Sequence, residues 1–356
     1  MRTPSAIISI AAAAACLLGF SGCTKNLSGL EIRFRAKTSP TAPVTKTAFS
    51  GENYEGTGGK TYERIDWSSG DLIVLAMKNN ETAMTTQNYS VNTISTAGVN
   101  SRTDLAPSGS ENGLTWGEGT HDFWSGYPAS KVTVGDHTLT ATIPASQVAT
   151  YNRKSGNVVL FNPDMSNAFM VASLQSAPAS NGINLDFYPA FTTFDFTVGA
   201  NDNITITSFE METSTYETET SASMPLAGDV VASFDPLGGM ACSFATTGTT
   251  SNSISLVFHN DEAAAYNPII TTSTSMNFKV FALPQDLTGI RITFNLSDGT
   301  HRSLRLKQSG NWITFPAAAK INISGLLVPG NVWYINFDYP RQEQWTVHSD
   351  IEIGVE

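Results

Sequence analysis

The chain has 356 residues with a formal net charge of −11, and 41% of them are hydrophobic but only 14% are charged. This composition allows a folded core and excludes a wholly disordered chain, and the acidic charge makes nucleic acid an unsuitable partner. Abundant Ser, Thr, Asn and Gly residues indicate β-strands joined by turns.

The N-terminus has the organisation of an export signal. Arg2 precedes an uncharged run over residues 6–20, shorter than the roughly 20 apolar residues of a membrane-spanning helix. Small residues then lead to Cys23, and this pattern resembles the lipobox of bacterial lipoproteins. The resemblance implies that residues 1–22 are a signal peptide and that Cys23 carries lipid. An ordinary secretory signal that happens to contain a cysteine is the alternative.

The cysteine count gives little scope for redox chemistry. Cys16 lies in the predicted signal and Cys23 would be lipidated, so Cys242 alone remains as a thiol. One thiol can form neither an internal disulfide nor a CxxC site. We expect Cys242 to behave as a small buried hydrophobic residue.

An amphipathic strand is predicted near the start of the mature chain. Leu30, Ile32 and Phe34 alternate with charged residues there, and Ala36 continues the pattern. A period of two is typical of a strand with one buried face.

The central part of the chain consists of short alternating runs separated by turn residues. These predicted strands cover residues 139–143, 194–198, 254–258, 276–280 and 290–296. Asp298 and Gly299 predict a hairpin turn after the last of these strands. The unbroken apolar run 72–75 predicts a strand buried on both faces. No long segment has helical periodicity, so we predict an all-β fold of antiparallel sandwiches.

A second amphipathic strand is predicted at the C-terminus. Its apolar face consists of Trp345, Val347, Ile351, Ile353 and Val355. Such a strand could fill a groove that an N-terminal strand leaves in another copy, through backbone hydrogen bonds and alternate apolar pockets. On pattern alone, two edge strands within their own domains are the simpler interpretation.

Several motifs in chain order resemble fimbrillin-family lipoproteins of Bacteroidales. Segments 45–50 and 63–74 resemble the family's N-terminal domain, and 123–128 and 187–196 resemble later parts of that pattern. The motifs that resemble its second domain are segments 282–288, 310–316 and 321–326.

This resemblance implies two transthyretin-like antiparallel β-sandwich domains in tandem. With the polar stretch 199–203 as the boundary between domains, the resemblance divides the chain into a signal peptide (1–22), an N-terminal propeptide and strand (23–46), two sandwich domains (47–200 and 201–344) and a candidate donor strand (345–356). It also implies a subunit of a type V pilus, carried to the outer membrane by its lipid anchor and displayed on the cell surface.

Assembly, by the same resemblance, involves a trypsin-like protease and other pilin subunits, identical or related. The protease would remove the strand that contains Leu30, Ile32 and Phe34, and a terminal strand of a neighbouring subunit would replace it. The candidate cleavage sites are Arg35, Lys37 and Lys46. Lys46 is favoured because it follows Pro40 and Pro43 in a predicted linker.

Signatures of catalysis are missing from the sequence. The five histidines are dispersed, and no metal-binding, nucleotide-binding or nucleophile motif occurs. We therefore expect no catalytic residue, metal or cofactor, and the Asn201–Asn203 segment is predicted to be a turn and not a Ca²⁺ site.

Two other functions stay open at this point. One is a monomeric outer-membrane lipoprotein that binds glycans, with candidate stacking residues Trp67, Trp116 and Trp124. Asp66 and Asp71 flank the first of these. The other is a secreted hydrolase with a carboxylate pair that sequence spacing cannot reveal.

Overall fold

The computed structural model describes fourteen stretches of the chain. They are residues 28–37, 48–55, 61–79, 83–93, 103–109, 112–214, 224–234, 242–287, 289–307, 313–315, 317, 319–328, 333–336 and 346–353. Within them lie 28 strands and two single-turn 3-10 helices, Ala129–Lys131 and Met165–Asn167. The predicted signal peptide, Cys23, Lys46, Trp345 and Val355 lie outside the described residues.

The strands follow one another at short intervals. The first fourteen are β1 (Phe34–Lys37), β2 (Ala48–Glu55), β3 (Thr61–Asp66), β4 (Leu72–Asn79), β5 (Thr85–Thr93), β6 (Thr103–Pro107), β7 (Thr120–Tyr127), β8 (Thr133–Gly135), β9 (Thr138–Ile143), β10 (Ser146–Ser155), β11 (Val158–Pro163), β12 (Met170–Pro178), β13 (Ile183–Asp186) and β14 (Tyr188–Pro189). The others are β15 (Thr192–Ala200), β16 (Ile204–Thr213), β17 (Ala227–Phe234), β18 (Cys242–Ser251), β19 (Ser253–His259), β20 (Ile269–Ile270), β21 (Ser275–Ala282), β22 (Gln285–Leu287), β23 (Gly289–Leu296), β24 (His301–Lys307), β25 (Ile313–Phe315), β26 (Ala319–Leu327), β27 (Trp333–Asn336) and β28 (Thr346–Ile353).

The first of two large β-units is a sandwich. Its larger sheet has eight strands in the order β13-β1-β6-β5-β4-β7-β12-β14, and the facing sheet has the order β18-β17-β9-β8. One core joins them, since Leu139 and Val230 of the small sheet belong to the same buried cluster as Phe34 and Phe123 of the large one.

The second unit is built on a twelve-stranded sheet. Its order is β27-β24-β23-β16-β19-β10-β11-β21-β15-β26-β28, with β20 paired to β16. The core of this unit contains Phe196, Phe209, Phe278 and Phe294, all from strands of that sheet. A single sheet that surrounds one core must fold back on itself. Two-stranded ribbons, β2-β3 and β22-β25, complete the architecture.

The predicted strands are confirmed, and with them the all-β fold. The five alternating runs fall within β9, β15, β19, β21 and β23. The hairpin between β23 and β24 turns at Gly299, whose φ of +81° suits glycine. Ile73 and Leu75 are fully buried as expected, but Leu72 is 39% exposed because it begins its strand. The transthyretin-like type of the two units stays a prediction.

The sheets are mixed, whereas the sequence predicted antiparallel sandwiches. Parallel pairs join β1 to β13, β10 to β19, β11 to β21, β15 to β26, β24 to β27 and β26 to β28. Parallel partners need a long connection, so they are distant in sequence and invisible to local patterns. As a result β10 and β11, which precede residue 200, belong to the twelve-stranded sheet.

Candidate strand-exchange site

The candidate site is the space that residues 28–37 fill beside and between other strands, named here the β1 slot. β1 runs antiparallel to β6 and parallel to β13, and Phe34 lies opposite Leu105 on one side and Ile183 on the other. Ahead of β1, the Ile32 N–H donates to the Leu114 carbonyl at 2.8 Å. The N-terminal segment is therefore an internal strand of its sheet and not an edge strand.

Alternate side chains of this segment point into the core. Ile32, Phe34 and Ala36 are 2%, 1% and 0% exposed, as expected for the inward face of a strand. Leu30, which the sequence grouped with them, lies in the preceding turn and is 48% exposed. In chain order, the three buried side chains are thus aliphatic, aromatic and small.

The ring of Phe34 sits between two other aromatic rings. Its centroid lies 5.1 Å from that of Tyr89 and 5.6 Å from that of Phe123, both edge-to-face. The Tyr89 hydroxyl accepts a hydrogen bond from the Leu114 N–H at 2.8 Å, which fixes its ring. Burial raises the pKa of Tyr89 to about 12, so this hydroxyl stays neutral in ordinary buffers.

A neutral histidine lies behind this aromatic group. The His121 ring contacts Trp116 edge-to-face at 5.4 Å and stacks on Phe123 at 6.3 Å. Its Nε2 accepts from the Gly117 N–H at 3.3 Å. Burial lowers the pKa of His121, although the charge of Asp122 opposes this shift. Trp116, which the His121 ring contacts, donates its backbone N–H to the Leu30 carbonyl at 3.0 Å. His121 is therefore linked to the β1 slot through Trp116.

Two glycines let neighbouring chain segments approach residues 28–37 closely. A Cβ on Gly182 would lie 3.2 Å from the Arg33 carbonyl oxygen, and one on Gly113 would collide with the Glu31 side chain. The Gly182 contact is with backbone, so a side chain there would require the chain to shift by a few tenths of an ångström, whereas at Gly113 the flexible end of the Glu31 side chain could move aside.

The candidate cleavage sites differ in their position relative to β1. Arg35 lies inside the strand, and its Nε forms an ion pair with Asp104 Oδ1 at 2.9 Å. Both side chains are more than half exposed, so this pair contributes at most about 1 kcal/mol. Lys37 is the last residue of β1. A protease needs an unpaired extended segment, so the Arg35–Ala36 bond is protected until β1 opens.

The C-terminal strand occupies an edge of the other large sheet. β28 pairs in parallel with β26, with Val347 opposite Lys320, Ile351 opposite Ile323 and Ile353 opposite Gly325. The register shifts between Ile321 and Ile323. One ladder alone therefore holds β28 within the described sheet, whereas two hold β1.

The tryptophans suggested for glycan stacking are core residues. Trp67, Trp116 and Trp124 are 2%, 2% and 1% exposed, so their ring faces are not available to a sugar. Asp71 accepts a hydrogen bond from the Ser68 N–H at 2.7 Å, as part of a turn. This leaves the glycan-binding alternative without its proposed stacking residues.

Neither a metal-binding cluster nor a membrane-spanning helix is found among the described residues. No group of three or more His, Cys, Asp or Glu residues in the described ranges could hold a metal. Asp202, in the predicted turn, binds Arg302 through both carboxylate oxygens at 2.7 Å. Across the part of the chain that the structure covers, no helix has the length and apolarity to cross a membrane.

A buried charged cluster was not predicted from the sequence. Oδ2 of Asp195 lies 3.0 Å from Nζ of Lys279 and 2.8 Å from Nζ of Lys320, and Asn277 donates to Oδ1 at 2.6 Å. Burial by itself would raise the pKa of Asp195, but the two ammonium groups outweigh it and hold this pKa below its usual value. The position of Asp195 between Phe194 and Phe196, in a strand buried on both faces, is the signal that could have revealed it.

Comparisons with known proteins give structural matches only. No protein-family model matches the chain, and no curated protein matches it. A candidate cell adhesion protein of Bacteroides fragilis is 15% identical with a TM-score of 0.46, over 87% of this chain and 99% of that one. Another from Bacteroides uniformis is 14% identical with a TM-score of 0.43, over 82% and 90%. A fimbrial protein of Bacteroides ovatus is 11% identical with a TM-score of 0.34, over 86% of this chain and 50% of that one. The chain thus matches, in structure and at low identity, candidate cell adhesion and fimbrial proteins of Bacteroides.

Proposed function

We propose that this chain is a structural or adhesive subunit of a type V fimbria on the cell surface. It would be exported as a lipoprotein through Cys23 and assembled when proteolysis allows another subunit's strand to replace β1. The observation that supports this proposal is the internal position of β1 between β6 and β13. One cut after β1 would separate a complete internal strand from the rest of the chain.

The free energy that β1 contributes to stability would be lost if the strand left without a replacement, but an exchanged strand could restore it. Burial of Ile32 and Phe34 contributes about 1.5–3 kcal/mol for each side chain, and each backbone hydrogen bond adds about 1 kcal/mol. An empty slot would forfeit all of this. An incoming strand that restores the same ladder and fills the same pockets would recover it, as in donor-strand complementation.

The three candidate cleavage sites depend to different degrees on the opening of β1. Cleavage after Arg35 requires most of β1 to open. Lys37, the last residue of the strand, pairs with Asp186 of β13, so cleavage after it requires only this end of β1 to fray, and Lys46 follows β1 in the sequence, outside the described residues. We therefore propose processing after Lys37 or Lys46.

The test is whether the cut chain exchanges its strand. Mature protein (residues 23–356) would receive brief trypsin treatment and then an excess of a fluorescent peptide of residues 28–37. We expect N-terminal sequences that begin at Thr38 or Thr47, and capture of the peptide on size-exclusion chromatography. A variant with Lys37→Gln and Lys46→Gln is the matched control and should capture none. A cut chain that keeps its own strand and excludes the peptide would refute the proposal.

A further inference from the structure

We infer that the β1 slot selects the incoming strand by side-chain size, and that its cognate strand comes from a different subunit and not from a second copy of this chain. This inference rests on the proposed function. It concerns which strand enters, and it follows from the order of pockets that Ile32, Phe34 and Ala36 occupy.

The central pocket demands an aromatic ring. Phe34 is 1% exposed and has edge-to-face partners at 5.1 and 5.6 Å, one of which is fixed through its hydroxyl. Rings held in this way cannot collapse onto a smaller side chain, so an aliphatic residue here would leave a cavity.

The next pocket demands a small side chain. Ala36 is fully buried, and its register partners are Thr103 on β6 and Leu185 on β13. These two residues are 5% and 0% exposed, so their own side chains are closely packed and leave little free space beside Ala36. Additional methyl groups at this position would overpack the core.

The chain's own C-terminal strand does not meet these demands in any register. Trp345 is the one Phe, Tyr or Trp residue in segment 343–356. If Trp345 takes the place of Phe34, Glu343 and Val347 take the two outer pockets, in an order set by strand direction. A carboxylate is then buried without a partner of opposite charge, which is costly. Every other register puts a non-aromatic residue, or His348, into the central pocket.

The three pockets of the β1 slot define the strand that would fit them. Its strand carries an aliphatic residue, an aromatic residue and a small residue at alternate positions. A basic residue between the last two would face Asp104, as Arg35 does at 2.9 Å. The C-terminal strand of this chain would then serve the slot of another kind of subunit.

The test compares peptides for entry into the slot of trypsin-cut mature protein. The set contains residues 28–37, the same peptide with Phe34→Val, with Ala36→Val or with Arg33→Gln, and residues 343–356. Affinities come from fluorescence anisotropy, and from refolding of the cut chain with each peptide. We expect the two pocket variants and the C-terminal peptide to bind at least about 10-fold more weakly than the native peptide. The Arg33→Gln peptide, altered at an exposed position, should match the native one.

Two results would overturn the inference, and they are distinguishable. Equal binding of peptides 28–37 and 343–356 would leave strand exchange intact and remove the size selection. Failure of every peptide, including the native one, would refute strand exchange itself and the inference with it.

Discussion

The substitution Asp195→Asn would test the role of the buried charged cluster in the twelve-stranded sheet. Asparagine has nearly the shape of aspartate, so the change removes the charge and little else. Lys279 and Lys320, whose side chains are 11% and 7% exposed, would lose the carboxylate that they share.

The expected loss of stability is large. Removal of one partner from a buried ion pair costs about 3–5 kcal/mol, because a buried charge loses its compensation. Lys279→Met should cost less than Asp195→Asn, since it leaves one lysine with one carboxylate. Asp104→Asn is the matched control. Its ion pair with Arg35 is largely exposed, so its loss should cost less than about 1 kcal/mol.

The cluster also predicts a dependence on pH. Because the lysines hold the pKa of Asp195 below its usual 3.8, the unfolded chain takes up the proton before the folded chain does. The contribution of this carboxylate is therefore fully present above pH 3.8 and is lost as the pH falls through the folded-state pKa. The Asp195→Asn variant should lack this part of the acid-induced loss.

Guanidinium unfolding at neutral pH and at acidic pH, followed by circular dichroism, measures both effects. The midpoint and slope of each variant give its free energy of unfolding. An Asp195→Asn protein within about 1 kcal/mol of wild type at neutral pH would refute the assigned role of the cluster.

The remaining predictions concern the β1 slot. Phe34→Ala should cost about 3–5 kcal/mol and speed trypsin cleavage after Arg35, measured by N-terminal sequencing over time; an unchanged cleavage rate would contradict the protection by pairing. Gly182→Ala places a Cβ 3.2 Å from the Arg33 carbonyl, so it should cost about 1–3 kcal/mol in unfolding experiments and weaken capture of the 28–37 peptide. Burial lowers the pKa of His121 from 6.5, so stability should fall as the pH drops below 6.5 towards the folded-state pKa. In His121→Gln that slope should be reduced, and an identical pH profile in both proteins would show that another group is responsible.

Local patterns were sufficient for the strands but not for the site. The alternation over 290–296 and the Asp298–Gly299 turn predicted β23, β24 and their hairpin, since a hairpin is specified by neighbours in the sequence. The same alternation marked residues 30–36 as a strand with one apolar face. It included Leu30, which the turn at residues 28–30 leaves exposed.

The sequence by itself determined the all-β class and the positions of those strands that have a clear alternation, because side-chain period and turn residues act over a few neighbouring positions. Tertiary structure decided which strands are neighbours. Phe34 lies opposite Leu105 and Ile183, and Asp195 meets Lys279 and Lys320, across separations that no local pattern spans. Tertiary structure also placed Trp67, Trp116 and Trp124 in the core. Burial and ion pairing depend on residues that only the folded chain brings together, and for the same reason the β1 slot exists only in the folded chain.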